Sequence, residues 1–539
     1  MTAATSVYAR FRETALRQGE AGFLNVLPET AEIYDITAGE ISYRFMLERV
    51  ERWRSAFASR GYGEGHRVGL LLQNRPAFVE LWFALNALGV SVVPINPDLR
   101  ISELEYIISH SEMNAAFVLA ERRAEFETAA RRAGRAVAVV TDVEDVPAPV
   151  GGGRPTATAA DGATECALLY TSGTTGQPKG CVLTNTYFLH SGNWYRDVGG
   201  LCGLKAEGER MITPLPLFHM NAMAVSLMAM LSVGGSLTML DRFHPRTWWK
   251  SVRDSRATCL HYLGVMPSML MSASASEQDK AHSVRFGFGA GVDKLLHAPF
   301  EERFGFPLIE AWAMTETGSG GVIAANVAPR KVGTSCFGRP AAEVDVRIVD
   351  DRGNDAPVGA SGELLVRRAG ADPRYGFFKE YLKNPQATAE AWEGGWFHTG
   401  DMVSRDADGD LHFVDRKKNV IRRSGENIAA VEVESVLNRH PAIRQAAVAA
   451  TPDQVRGDEV AAVIIAERAG AGRLLAEDIV RWSLEQMAYY KVPGWICFVD
   501  SLPLTATEKI QRGGLKDYVA KLMGEGAFLD LRDLKRRQV

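Results

Sequence analysis

At 539 residues the chain is longer than one hydrophobic core usually serves, so at least two domains are expected. It is 46% hydrophobic and 23% charged, as soluble globular proteins are, and its net charge of −4 is spread without the basic block that nucleic-acid binding needs. Six cysteines (166, 181, 202, 259, 336 and 497) form no C-x2-C pair, which argues against a zinc or disulfide framework and for buried thiols in a reducing compartment.

In chain order, the first residues, Met1-Thr-Ala-Ala-Thr-Ser-Val-Tyr-Ala-Arg10, hold no apolar signal-peptide core, and later apolar runs are too short or interrupted to span a membrane. A cytosolic, membrane-free protein is expected. Residues 41–120 alternate helix and strand. Tyr43 to Arg60 is helix-like and His66 to Gln73 strand-like. After Pro76, Phe78, Leu81, Trp82, Leu85 and Leu88 share one helical face that Gly89 ends. Ser91–Ile95 reads as a strand, Ile101–Ser111 as a helix and Ala115–Leu119 as a strand. This rhythm predicts a largely parallel sheet covered on both faces. Residues 146–165, rich in Pro, Gly, Ala and Thr, read as an exposed connector.

Next comes Tyr170-Thr-Ser-Gly-Thr-Thr-Gly-Gln-Pro-Lys-Gly180, led by the apolar run Cys166–Tyr170, a predicted buried strand. Gly173, Gly176 and Gly180 let the backbone approach an anion closely. Ser172, Thr174 and Thr175 add hydroxyl donors, and Lys179 adds a mobile positive charge. That set suits a polyphosphate. It is not a Walker A loop, because Pro178 directly precedes Lys179 and Gly180 follows it.

Further along stand Pro216-Leu-Phe-His-Met-Asn-Ala222, Gly287-Phe-Gly-Ala-Gly291 and Glu310-Ala-Trp-Ala-Met-Thr-Glu316. Residues 338–415 are richer in short strands, such as Val344–Val349 and Glu363–Val366, and contain Trp396-Phe-His-Thr-Gly-Asp401. The main domain boundary is expected between Asp415 and Lys418, inside Phe413-Val-Asp-Arg-Lys-Lys-Asn419. The remainder, with Arg422-Arg-Ser-Gly-Glu-Asn-Ile428 and Leu502-Pro-Leu-Thr-Ala-Thr-Glu-Lys-Ile-Gln-Arg512, can fold alone. The tail Lys535-Arg536-Arg537 reads as a solvated end.

The 170–180 stretch resembles the signature loop of the adenylate-forming family, which includes acyl-CoA synthetases, aryl-CoA ligases, luciferases and peptide-synthetase adenylation domains. Seven separated motifs occur in that family's order between Ile41 and Arg512. The resemblance implies an α/β fold: a large N-terminal domain (1–415) of mostly parallel βαβ sheets with a β-rich subdomain, a hinge (416–418) turning at Lys418, and a small mobile α+β C-terminal domain (419–539). It implies that Thr171, Ser172, Gly173, Thr174, Thr175 and Lys179 hold the ATP phosphates, along with Gly289, Ala290, Glu310 and Ala311 about the nucleotide. Trp312 would stack on adenine. Thr315 would reach the α-phosphate, and Glu316, with Thr174, would hold Mg²⁺ through hard oxygens. Asp401 and Arg416 would bind the ribose, the carboxylate matching a vicinal diol. Arg423, Ser424 and Gly425 would line the coenzyme A tunnel, and Lys509 would be the adenylation lysine.

Met223, Phe288, Ala290, Gly291, Ala313, Met314 and Cys336 would line the acyl pocket, with His219 as its gate. His219 also argues against an amino-acid substrate, for which relatives usually place an Asp after the Phe. Two positions depart from the family pattern, Ala313 and Glu508, both usually Gly. The methyl of Ala313 narrows the pocket against bulky or very long acids; Glu508 cannot visit positive φ as cheaply as Gly.

The implied reaction joins an acid's carboxylate to the α-phosphate of MgATP, releasing pyrophosphate; a CoA thiol then takes the acyl group and releases AMP. Lys509 serves the first half and the Gly425 stretch the second, so rotation about Lys418 is the economical way to present both to one carbonyl. Phe218-His219, Phe378-Lys-Glu-Tyr381, Asn384-Pro-Gln-Ala-Thr388 and Ser424-Gly-Glu-Asn427 look closest to crotonobetaine/carnitine–CoA ligases. Expected partners are a small carboxylic acid, ATP and CoA; monomer and homo-oligomer both stay open. The alternatives are a carrier-protein or oxidative acceptor and a catalytically silent nucleotide-binding regulator.

Overall fold

The computed structural model describes residues 4–141, 146–151, 160–171, 177–350, 352–416, 420–468, 470–503 and 512–535. The chain forms two compact units, one of Met1–Pro97, Ile108–Leu169 and Gly180–Asp415, the other of Asp98–Ile107, Tyr170–Lys179 and Arg416–Val539.

The first unit is built on three sheets. One runs, in spatial order, Glu380–Tyr381, Lys179–Thr184, Glu165–Thr171, Ser91–Pro94, Arg67–Leu71, Ala115–Val118 and Ala138–Val140. From Glu165–Thr171 across to Ala138–Val140 the pairs are parallel, as the βα rhythm predicts. The helix Pro76–Asn86 departs from the one-faced reading: every residue from Phe78 to Asn86 is buried. Its polar members find partners inside. Glu80 accepts from Arg49 Nε at 2.8 Å and Trp53 Nε1 at 3.3 Å, and Asn86 Oδ1 accepts from Tyr8 N at 2.9 Å. A buried polar group that is satisfied costs little, so the helix can sit inside the core.

The second sheet orders Ile323–Ala324, Leu308–Trp312, Phe286–Ala290, Cys259–Leu263, Arg210–Thr213, Ser236–Met239, Gly22–Val26 and Gly39–Ser42. It is parallel except at its two edges. The third comprises Cys336–Gly338, Leu411–Arg416, Phe397–Arg405, Ser361–Arg368 and Val344–Val349. Along Phe397–Arg405 the alternation turns Phe397, Thr399, Asp401 and Val403 inward. An aspartate in that row must find a partner.

In the second unit the strands Glu426–Ala429, Val420–Arg423, Gly457–Ala466, Trp495–Phe498 and Leu529–Asp530 form one sheet, with Ile443–Asp453 also paired to Gly457–Ala466. Helices Ala430–Leu437, Arg473–Gln486 and Arg512–Gly524 accompany it. Ala447, Ala461, Val463, Leu515 and Val519 are in its core. The tail is not the solvated end expected: the Lys535 side chain is fully buried, because Glu459 receives its ammonium. Arg536 and Arg537 lie outside the described residues. All six cysteines are buried and unbridged. Among the described residues no helix is long and apolar enough to cross a membrane.

Candidate functional site

The predicted phosphate stretch becomes two neighbouring strands, Glu165–Thr171 and Lys179–Thr184. Ser172, Gly173, Thr174 and Thr175, between them, lie outside the described residues. Thr171 ends the first strand half-buried, and Lys179 opens the second. The second strand also pairs with Glu380–Tyr381, antiparallel, with Cys181 opposite Tyr381. Lys379 N donates to Val182 O and Leu382 N to Gly180 O, both at 2.8 Å. This pairing lets the Tyr381 hydroxyl donate a hydrogen bond to Glu316 Oε1 at 2.9 Å. Phe378 N donates to Glu316 O at 2.8 Å, and Tyr187 Oη to Thr315 O at 2.9 Å. Glu316 is thus anchored to the segment that pairs with the strand leaving the loop, and Thr315 to the helix Asn185–Asp197 that follows it. Burial, then the adjacent Glu316 charge, hold the Tyr381 hydroxyl protonated far above its ordinary range.

The strand Leu308–Trp312 carries the next group. Glu310 accepts from Gly291 N at 3.0 Å, Val292 N at 3.1 Å and Tyr262 Oη at 2.9 Å. Burial pushes its carboxyl pKa up while these donors pull it down. Glu310 thus shapes the turn after Phe286–Ala290, where Gly291 has φ of 83°. Gly289 lies opposite Glu310 in register, and a Cβ there would fall 2.2 Å from Tyr262 O. Two residues beyond Glu310, the Trp312 indole Nε1 donates to Asp401 Oδ2 at 2.8 Å, with both side chains buried. The corner before Asp401 is itself bonded: Thr399 Oγ1 donates to Leu364 O at 2.7 Å and accepts from Asp401 N at 3.0 Å. Gly400 N donates to Glu363 Oε1 at 3.1 Å.

Around Phe288 the rings of Tyr195, His261 and Trp194 lie 5.1, 5.4 and 6.0 Å away. His261 Nδ1 is 2.7 Å from Ser226 Oγ and 3.0 Å from Asn221 Oδ1, and its Nε2 is 3.1 Å from Tyr195 Oη. Burial pushes the His261 imidazole down to about 3, so it is neutral at physiological pH. Asn221–Ser226 forms a π-helical turn two residues after His219, and Met223 is buried within it. π-Turns of this kind are frequent at functional sites. His219 is half-buried, its ring 4.6 Å from Phe218. Ala313 and Gly291 are exposed, Met314, Ala290 and Ala311 half-buried, and Cys336 buried. Phe337, beside Cys336, has its ring 6.4 Å from that of Trp312.

In the second unit Val420–Arg423 and Glu426–Ala429 make a hairpin whose two-residue turn is Ser424 (φ 51°) and Gly425 (φ 93°). Left-handed conformations at both positions give the twist a tight hairpin needs. Ser424 N donates to Arg456 O at 2.9 Å. Arg423 is buried, and its Nε donates to both oxygens of Glu459, at 2.9 and 2.8 Å.

Residues 24–381 match the AMP-binding enzyme family, and residues 432–509 its C-terminal domain. The chain belongs to the AMP-binding enzyme family. Crotonobetaine/carnitine–CoA ligase of Shigella flexneri is 31% identical over 510 residues, spanning 90% of this chain and 96% of that protein. A double mutant of o-succinylbenzoate CoA synthetase (MenE) from Bacillus subtilis, bound with the product analogue OSB-NCoA, matches with a TM-score of 0.78. It is 23% identical and covers 94% of this chain and 98% of that one. Amide bond synthetase McbA from Marinactinospora thermotolerans also gives a TM-score of 0.78 at 23% identity, covering 94% and 99%.

For a member of this family, the first unit brings Thr315, Glu316, Trp312 and Asp401 into contact with named partners, while Lys418, Glu508 and Lys509 lie outside the described residues, as does the Arg416 side chain. Tyr381, Tyr187 and Tyr262 were missed as parts of the site. Tyr381 stands in a quoted motif, but its partner Glu316 lies 65 residues away, so nothing local marked it as part of the site. Tyr187 and Tyr262 reach Thr315 and Glu310 across 128 and 48 residues, with no local pattern to mark them.

Proposed function

We propose that the protein is an AMP-forming acid–CoA ligase that works through an acyl-adenylate. The observation that carries this reading is the Trp312–Asp401 hydrogen bond, which joins the adenine-stacking and ribose-binding candidates across 89 residues. In the first half-reaction a carboxylate oxygen bonds to the α-phosphorus and pyrophosphate leaves. In the second, the CoA thiolate bonds to the acyl carbon and AMP leaves. Both partners of the first step are anionic, so charge neutralisation is the main task. Lys509 and Lys179 supply positive charge, and Thr315 a hydroxyl donor to the α-phosphate. Thr171, Ser172, Gly173 and Thr175 cradle the β- and γ-phosphates. Glu316 suits Mg²⁺: it is a hard oxygen donor held by Tyr381, and Thr174 is the second candidate. The ion supplies electrostatic stabilisation of the phosphates.

Asp401 and Arg416 hold the ribose. Ser424 and Gly425 line the thiol's approach, and His219 gates it. Residues 1–415 form the acid- and ATP-binding domain and 419–539 the mobile domain, turning at Lys418 within 416–418, in a cytoplasmic enzyme. The acid is short or medium and polar, of the carnitine kind. This is supported by the 31% identical ligase and by the methyl of Ala313 at the pocket. Turnover favouring long-chain over short acids would refute the size limit.

An acid panel scored by AMP release, with and without CoA, tests the assignment. CoA-dependent release with one acid class supports it. Release without CoA points to another acceptor, a carrier protein or an amine; the McbA fold keeps that second reading alive. No pyrophosphate exchange with any acid would favour the silent regulator.

A further inference from the structure

The last described residue of the chain, Lys535, turns inward rather than to solvent. Its side chain and that of Glu459 are both 0% exposed, and its Nζ donates to Glu459 Oε1. The same oxygen accepts from Val460 N at 2.9 Å. Glu459 also holds Arg423, the residue immediately before the Ser424–Gly425 turn. The Arg423 Nη1 is buried with no hydrogen-bond partner among the described residues, and Glu459 holds the guanidinium through Nε.

The tail is led to this point by several contacts. Leu529–Asp530 pairs with the strand Trp495–Phe498, and Leu531 N donates to Gly494 O at 2.9 Å. Arg532 Nη1 donates to Asp453 Oδ2 at 3.0 Å, and its guanidinium lies 4.5 Å from the Trp495 ring centroid. Gly494 lets the tail close in: a Cβ there would meet Arg532 Cγ at 2.9 Å, and Glu459 Cδ at 2.8 Å.

Burial, and then Arg423, push the Lys535 amine down to about 7, so its place inside is held against a desolvation cost. In some proteins a buried ionic cluster of this kind is kept for the geometry it specifies. That geometry is a chain of contacts from Lys535 through Glu459 and Arg423 to the hairpin tip.

We propose that Lys535 is a positioning residue for the thioester half-reaction, clamping Glu459 against Arg423 so that the Ser424–Gly425 turn is fixed where the thiol passes. This rests on the ligase reading above. The test uses the full-length Lys535→Met variant, in which a side chain of similar length loses the ammonium. Thioester formation is measured from supplied acyl-adenylate with CoA and with pantetheine, beside acid-dependent pyrophosphate release and amide exchange over 421–428.

The expected result is a KM for CoA raised roughly tenfold, the scale of one lost charge-assisted hydrogen bond, with the same rise for pantetheine. Pyrophosphate release stays unchanged and amide exchange in the hairpin speeds up. An unchanged KM overturns the proposal. A rise for CoA alone also overturns it, since that would mean attraction to the CoA phosphates rather than placement of the turn. Equal loss of both half-reactions overturns it as well. Gly425→Leu separates the two levels: if it leaves thioester formation intact, the hairpin's role in the ligase reading fails, whatever Lys535 does.

Discussion

Tyr381→Phe removes one oxygen and little else. The ring keeps its place against Phe378, 4.7 Å between centroids, while Glu316 loses the donor at 2.9 Å. Both residues are buried, Tyr381 and Glu316 each at 7% exposure, so water replaces that donor poorly. A hydrogen bond to a buried charged group is worth about 1.5–3 kcal/mol, and stability should fall by roughly that amount. The functional effect is larger in kind. Under the proposed assignment Glu316 ligates Mg²⁺, and loss of the group that orients a ligating carboxylate typically costs about 10–100-fold in metal affinity or activity. Pyrophosphate release titrated with Mg²⁺ at saturating ATP and acid should therefore show a half-saturation shifted about tenfold or more. Thioester formation from supplied acyl-adenylate should keep its wild-type rate. A normal Mg²⁺ curve in a variant that has lost the expected stability would refute the reasoning: the hydrogen bond would then hold the fold together without serving the ion.

Lys509→Ala should lower acid-dependent pyrophosphate release by about 10²–10³-fold while sparing thioester formation from acyl-adenylate; equal loss in both assays would remove the lysine from its role. Gly289→Ala would place a methyl 2.2 Å from a backbone oxygen of the neighbouring strand. The sheet must part locally, costing about 1–3 kcal/mol in a urea melt, and the KM for ATP should rise; a stable variant with wild-type KM would show that the strands can yield. His190 and His261 are held by burial at about 4 and about 3. As pH falls below about 6.5 the unfolded chain takes up protons that the folded one refuses, so stability drops with falling pH until those low values are reached. At pH 4.5 each group has cost about 2–3 kcal/mol. Urea midpoints at pH 7.5 and 4.5 should show the loss, and His261→Gln should recover roughly half of it; an undiminished loss would acquit His261.

Much of the architecture was visible in the pattern of residues because its determinants are local. Continuous apolar runs such as Cys166–Leu169 became buried strands, and the elements expected between residues 43 and 119 appear with nearly the bounds that Pro76, Gly89 and their flanks suggested. Trp312 and Asp401 were picked out separately by motif, but nothing along the chain showed that they bond to each other. What was hidden is non-local. The helix Pro76–Asn86 read as one-faced from the spacing of its large apolar residues, and only distant partners make Glu80 and Asn86 interior residues. Lys535 read as solvated because a basic residue near a tail usually is; Glu459, 76 residues earlier, decides otherwise. Tyr262, Tyr187 and Tyr381 contribute hydroxyls whose acceptors lie on other strands and turns, and a phenol carries no sequence signal of its destination.

If Trp312 stacks on adenine and Asp401 holds the ribose, as proposed, the bond between indole and aspartate makes selection for base and for sugar a single property. A nucleotide lacking its vicinal diol would leave Asp401 seated differently and loosen the plane offered to the purine, so deoxy analogues should be confused with other bases more readily than ATP is. Conversely, a smaller ring at position 312 would weaken the grip on ribose without touching it.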